Sequence, residues 1–139
     1  SDDFEQYAAQ TVANAEALAD TLSDAGLAVV SGGTDNHLVL VDLRPSHPDT
    51  TGKDVEAALE STGIIMNANT VPGETRSPFE PSGIRLGTAA LTTRGFNEAA
   101  TREVGELIID IVRNYDDQAV ITDVSERVDE LTNEYTLYQ

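Results

Sequence analysis

The sequence predicts an α+β domain in which helices cover one face of a small, mostly antiparallel sheet. Three observations predict it. The 139 residues suit one compact domain, so residues 1–139 are expected to form a single unit. Hydrophobic residues make up 40% of the chain, which is enough for a core. Long segments with helical periodicity are interspersed with short apolar segments of strand length.

The first predicted elements are a helix and a β-hairpin. Apolar residues recur at helical spacing over residues 3–25, and Gly26 is typical of a helix end. Residues 27–30 and 37–43 are predicted strands, joined by a turn of small and polar residues at 31–36. The helix is expected to bury Phe4, Tyr7, Ala8, Val12, Ala15, Leu18, Ala19 and Leu22, and to expose Asp20 and Asp24.

The rest of the chain contains three predicted helices and two strands. Thr51 and Asp54 have the spacing of a capping box and predict a helix start, and Gly63 ends that helix. The remaining elements are a strand at 64–66, a long loop at 67–82, a strand at 83–87, and amphipathic helices at 97–115 and 118–135.

Charge limits the possible partners. Eight Lys and Arg residues stand against 25 Asp and Glu, which gives a net charge of −17. A nucleic-acid partner is not expected, because phosphate-backbone binding depends on basic residues. Such a surface repels itself in dilute salt and is tolerated where counterions are abundant, which favours a halophilic origin and a salt-rich cytoplasm. An ordinary, very soluble acidic domain is the alternative.

Composition also excludes several classes of site. The absence of cysteine rules out disulfides, thiolate metal sites and cysteine nucleophiles. The apolar runs are far shorter than the roughly 20 residues that a membrane span needs, and no signal peptide opens the chain, so a cytoplasmic protein without membrane contact is expected. His37 and His47 are far apart, and no metal site is expected. His37 could act in acid–base chemistry with Asp35, or simply belong to the hairpin.

The loop and strand from residue 67 to residue 87 form the candidate site. Connections of this length inside a compact domain are usually functional. Arg85 lies between two apolar residues and is flanked by Gly83 and Gly87, which permit close approach of a backbone or ligand. Its planar guanidinium matches a carboxylate. The alternative is an arginine paired with one of the many acids.

Several blocks closely resemble the serine hydroxymethyltransferase family, in that family's order and spacing. They are SGGTDNH at 31–37, NTVP at 69–72, SPF at 77–79, SGIRLGT at 82–88 and TTRGF at 92–96. The resemblance covers nearly the whole chain but only the family's C-terminal small domain. It implies the C-terminal domain of a fold-type I pyridoxal-phosphate-dependent transferase.

The resemblance also implies roles for individual residues. Arg85 matches the arginine that binds the α-carboxylate of serine or glycine. Asn69 matches a folate-contacting asparagine, and Ser77, Pro78 and Phe79 match a stretch that lines the folate site. The chain departs from the family pattern at Gly73-Glu74-Thr75 and at Pro81, both in the loop that carries the folate contacts.

The resemblance implies that the site of the family's cofactor lies mainly in the large domain that precedes this one. Pyridoxal phosphate is held on a lysine in the family and acts as an electron sink, while tetrahydrofolate accepts the one-carbon unit. Lys53 is the only lysine, in the first turn of a short predicted helix, and is not expected to carry the cofactor.

The resemblance therefore implies an incomplete enzyme, inactive alone, with no catalytic residue of its own. A preceding large domain and a second subunit would complete the active site. Two alternatives stay open: a free-standing α+β module that binds a small carboxylate and regulates another protein, and a fragment with only a structural role.

Overall fold

The computed structural model of the chain describes residues 2–30 and 37–135. The α+β class is confirmed. In chain order, the helices and strands are α1 (Asp2–Asp24), β1 (Ala28–Val29), β2 (Leu38–Asp42), α2 (Gly52–Glu60), β3 (Met66–Asn69), β4 (Gly83–Gly87), α3 (Ala89–Thr93), α4 (Glu98–Arg113) and α5 (Gln118–Glu134).

The four strands form one antiparallel sheet with the order β1-β2-β4-β3. Side chains alternate between its two faces. The face packed against the helices is buried, and its side chains are Val39, Val41, Met66, Ile84 and Leu86. We call the opposite face the open face; it carries Leu38, Leu40, Asn67, Asn69 and Arg85. The helices therefore cover one side of the sheet only, as the sequence predicts.

Helices α1 and α4 pack against each other behind the sheet and supply much of the core. Leu18, Leu22 and Ile108 are fully buried there. The buried amide of Asn14 donates to Thr92 Oγ1 at 3.0 Å and to the carbonyl of Phe96 at 2.9 Å, which joins α1 to the segment after the sheet. The buried amide of Asn14 is thus hydrogen-bonded at the contact between these two parts of the fold.

Local end signals are confirmed. Thr51 and Asp54 form the capping box at the start of α2, each accepting a hydrogen bond from the other's backbone N–H. Gly26 follows α1 with a φ of +93°, a left-handed conformation that suits glycine. Asp117 caps α5 by accepting from the amides of Ala119 and Val120.

The start of α1 differs from the prediction. Phe4 is 69% exposed, and Tyr7 and Ala8 are also exposed, so these three residues do not join the core. The Tyr7 hydroxyl lies 3.2 Å from the carbonyl oxygen of Ala89 and 3.0 Å from Thr93 Oγ1. Both partners belong to α3, a one-turn helix that the sequence pattern did not predict.

The third strand lies later in the chain than predicted. β3 covers Met66–Asn69 rather than residues 64–66, so the first residues of the predicted loop are paired with β4. The pairing of β1 with β2 agrees with the predicted hairpin, whose turn at 31–36 lies outside the described residues. None of the helices in the described part of the chain is long and apolar enough to cross a membrane.

Candidate functional site

Three polar side chains of the candidate site belong to the open face. Arg85 on β4 is directly opposite Asn67 on β3 and Leu40 on β2. Asn69 is opposite Gly83, two residues from Arg85 along β4, and is therefore a diagonal neighbour of the arginine. The strand pairing thus places two amides and one guanidinium on the same uncovered surface.

The Arg85 side chain is exposed and forms no ion pair or hydrogen bond within residues 2–30 and 37–135. Other cations of the chain are engaged: Arg44, Lys53 and Arg127 form ion pairs, and Arg76 and Arg113 donate to carbonyl oxygens. An open groove surrounds Arg85. Its lining residues are His37, Leu38, Ile65, Met66, Asn67, Gly87, Ala89 and Ala90. The guanidinium is therefore available to an anion entering this groove.

Asn69 is half-buried at the end of β3, and its Nδ2 donates to the carbonyl of Thr70 at 2.8 Å. The glycine opposite it is needed by the chain itself. A Cβ on Gly83 would lie 2.4 Å from Val71 Cγ1 and 2.8 Å from the Asn69 carbonyl oxygen. The close approach expected at Gly83 is therefore an approach of the protein's own backbone and of Val71.

The segment from residue 70 to residue 82, here called the β3–β4 connection, contains no helix or strand. Ser77, Pro78 and Phe79, which we call the loop tip, are all exposed, and Phe79 is 83% exposed. Ser77 Oγ accepts a hydrogen bond from the Phe79 amide at 3.1 Å. No hydrogen bond joins the loop tip to Arg85 or Asn69 within the described residues.

One end of the β3–β4 connection is held by Arg44, a residue that follows β2. Its guanidinium lies 2.8 Å from Asp42 Oδ2, and it donates to the carbonyls of Gly73 at 2.7 Å and Pro72 at 3.1 Å. The hydrogen bond from Arg44 lowers the pKa of Asp42 below its usual value. Sequence reasoning missed this anchor, because its acceptors are backbone carbonyls far along the chain.

The other anchor of the connection is Glu74. Its carboxylate accepts from the amide of Ser82 at 2.8 Å, from the Ser82 hydroxyl, and from the amides of Thr75 and Arg76. Partial burial would raise its pKa, but these four hydrogen bonds outweigh that and lower the pKa to about 2. Glu74 belongs to the segment that departs from the family pattern.

The remaining sequence candidates lie elsewhere or have local partners. Lys53 Nζ is 3.2 Å from Glu56 Oε1 on α2. His47 Nδ1 is 2.8 Å from Ser46 Oγ. His37 lines the Arg85 groove, but Asp35 is outside the described residues. Within residues 2–30 and 37–135, no three His, Asp or Glu side chains are grouped so that they could hold a metal ion.

Comparison with known proteins gives consistent matches. A model of the serine hydroxymethyltransferase family matches residues 1–108. A serine hydroxymethyltransferase of Haloquadratum walsbyi is 73% identical over 139 residues, which are 100% of this chain and 34% of that protein. One from Haloarcula marismortui is 67% identical over 99% of this chain and 33% of its own length. The chain therefore spans about a third of these relatives, and it matches their C-terminal region.

Proposed function

Because the chain belongs to the serine hydroxymethyltransferase family, we propose that it forms part of an enzyme that interconverts serine and glycine with transfer of a one-carbon unit to tetrahydrofolate. In this proposal Arg85 binds the substrate carboxylate. Asn69 and the loop tip contribute to the folate site. The chain contributes binding groups, and the chemical step depends on the rest of the enzyme.

The proposal depends mainly on the guanidinium of Arg85. The protein has 25 acidic residues and a net charge of −17, yet Arg85 has no carboxylate partner within the described residues. Its side chain stands on an uncovered sheet face beside the amide of Asn67. A guanidinium offers two parallel N–H donors to a carboxylate, and the strand supplies a rigid support for it.

The folate assignment is supported by the chemistry of the same face. The amide of Asn69 has both a donor and an acceptor, which suits the edge of a pterin ring. Among the described residues, the Asn69 amide donates one hydrogen bond, to the carbonyl of Thr70. The exposed ring of Phe79 at the loop tip provides an apolar surface against which a flat ring system could pack.

Pyridoxal phosphate is bound outside this chain in the proposed enzyme. Lys53 is the only lysine of the sequence, and it lies in the first turn of α2 with its ammonium group paired to Glu56. The residues of this chain therefore do not fit a cofactor held on lysine. The cofactor would supply the electron sink of the reaction from the large domain.

The partner of the open face is the remainder of the polypeptide, together with a second subunit. Exposed apolar side chains support this: Ile65 is 66% exposed beside the Arg85 groove, and Tyr7 is exposed on α1 above α3. An interface that closes over the Arg85 groove would bury Ile65, which lines it. The proposed location is a salt-rich cytoplasm, because abundant counterions stabilise the acidic surface of this chain.

A chimera tests the proposal. This chain would replace the matching C-terminal third of the Haloquadratum walsbyi relative, and serine-to-glycine conversion would be assayed with tetrahydrofolate in concentrated KCl. We expect an active chimera with the wild-type chain. An inactive but folded chimera, which still binds pyridoxal phosphate, would overturn the proposal. Glycine binding by the isolated 139-residue chain, dependent on Arg85, would favour the free-standing carboxylate-binding module instead.

A further inference from the structure

The β3–β4 connection is a long irregular segment, so holding it in one conformation is entropically unfavourable. It leaves the sheet after Asn69 and returns at Gly83, with no regular structure between, and its tip is exposed. Ordering each backbone residue costs conformational entropy. A loop tip that contacts a ligand must therefore be held by bonds elsewhere in the connection, or ligand binding itself would have to supply that ordering.

Glu74 supplies those bonds at one point. Its Oε1 accepts from the amide of Ser82, and its Oε2 accepts from the Ser82 hydroxyl and from the amides of Thr75 and Arg76. Thr75 and Arg76 precede the loop tip, and Ser82 follows it. One carboxylate therefore joins the two ends of the segment that carries the tip, and closes that segment into a loop.

The hydrogen bonds around the Glu74 carboxylate form a closed network that includes the side chains of Arg76 and Ser82. Arg76 Nη1 donates to Ser82 Oγ at 3.2 Å, and the same hydroxyl donates to Glu74. Arg76 also donates to the carbonyls of Pro48 and Thr50, in the segment before α2. Ser82 is fully buried. The loop base is thus attached to a part of the domain that does not belong to the connection.

We propose that Glu74 is a positioning residue for folate, because its carboxylate bonds Ser82 to Thr75 and Arg76 and so presents the loop tip in a binding-ready conformation. This role rests on the proposed function, since it requires that the tip contacts the folate. Hydrogen bonds to an ionised acceptor are roughly twice as strong as those between neutral groups. A glutamine here has one acceptor oxygen and an amide nitrogen that cannot accept.

The residue before Glu74 is a glycine in a left-handed turn. Gly73, the residue before Glu74, has a φ of +70° and open space around the position of a Cβ. Glycine adopts this left-handed conformation without strain. Glu74 directly follows this turn, and its side chain reaches Ser82.

The test compares Glu74→Gln with Glu80→Gln in the active chimera. Both changes remove one negative charge from the connection, but the side chain of Glu80 forms no hydrogen bond within the described residues. We expect Glu74→Gln to raise the KM for tetrahydrofolate about tenfold while the KM for serine changes less than twofold. Glu80→Gln should leave both constants near the wild-type values.

Two further results decide the case. Glu74→Asp keeps the charged acceptor and should recover part of the tetrahydrofolate affinity that Glu74→Gln loses. Equal increases in both KM values, or an unchanged KM for tetrahydrofolate, would overturn the role of Glu74. Either result would leave the proposed function standing as long as the wild-type chimera is active, whereas an inactive wild-type chimera would overturn the proposed function itself.

Discussion

Asn67 and Arg85 are directly opposite each other on neighbouring antiparallel strands, on the face of the sheet that the helices leave open. Opposed residues in an antiparallel pair have Cβ atoms about 4.5–5.5 Å apart. The amide of Asn67 therefore places a neutral polar group, rather than a carboxylate, next to the guanidinium. In a chain this acidic, that arrangement leaves Arg85 without a carboxylate partner among residues 2–30 and 37–135.

Arg85 should contribute mainly to binding of the amino-acid substrate. In the active chimera, Arg85→Ala is expected to raise the KM for serine by at least about tenfold, because a charge-assisted, bidentate interaction is lost. Arg85→Lys keeps the charge without the planar fork and should recover only part of the affinity. The matched control is Arg102→Ala, which removes an exposed arginine on α4. Unchanged serine affinity in Arg85→Ala would contradict the assignment.

Asn69 should affect folate more than the amino acid. Asn69→Ala removes the amide donor and acceptor at the edge of the open face, so the KM for tetrahydrofolate should rise several-fold while glycine binding is retained. The two are separable by measuring glycine affinity without folate and turnover with it. Equal losses in both measurements would indicate a general disturbance of β3 and would count against a folate contact.

Local sequence signals predicted those parts of the fold that depend on neighbouring residues. Thr51 and Asp54 are three residues apart, and their capping box needs nothing else. The bounds of β3 were predicted wrongly, because they depend on pairing with a strand farther along the chain. Asn67 and Asn69 are poor strand formers, and they are extended because β4 pairs with them. α3 was missed because it is a single turn, held partly by the contact of Tyr7 with Ala89 and Thr93.

The same distinction between local signals and contacts of distant residues applies to the candidate site. The sequence indicated Arg85 as a candidate, because it lies between two apolar residues and is flanked by Gly83 and Gly87. The anchors Arg44 and Glu74 were not visible. Arg44 donates to the carbonyls of Pro72 and Gly73, and Glu74 accepts from Ser82, so each bond exists only once the connection has folded back on the domain.

Stability should depend on salt. The net charge of −17 produces repulsion among surface carboxylates, and the Debye length falls to about 3 Å at 1 M salt. The Tm of the chain is therefore expected to rise steeply with KCl, and an uncharged osmolyte should not reproduce the effect at low salt. Asp20→Asn with Asp24→Asn, on the exposed side of α1, should reduce the slope. A Tm insensitive to KCl would contradict the interpretation.

Gly52 should tolerate no side chain. A Cβ at this position would lie 2.1 Å from the carbonyl oxygen of Gly83, which is backbone and cannot simply rotate away. The Gly52 amide also donates to the carbonyl of Pro81 at 2.8 Å. Gly52→Ala is expected to lower the free energy of unfolding by about 2 kcal/mol or more. Lys53→Ala, one residue later and exposed, is the control, and equal stability of the two variants in urea would contradict the close contact.

The pH dependence of stability should reveal Glu74. The pKa of this carboxyl is about 2 in the folded chain, below its usual value of 4.5, so its ionised form stabilises the fold. That contribution is complete above about pH 4.5 and is lost as the pH falls towards 2. The difference in unfolding free energy between the wild-type chain and Glu74→Gln should therefore be largest near neutral pH and shrink over this range.

Taking a difference removes the relief of general acidic repulsion, which is common to both proteins. Glu80→Gln should show a small difference at every pH, and a similar profile for both variants would mean that the four hydrogen bonds of Glu74 do not stabilise the loop.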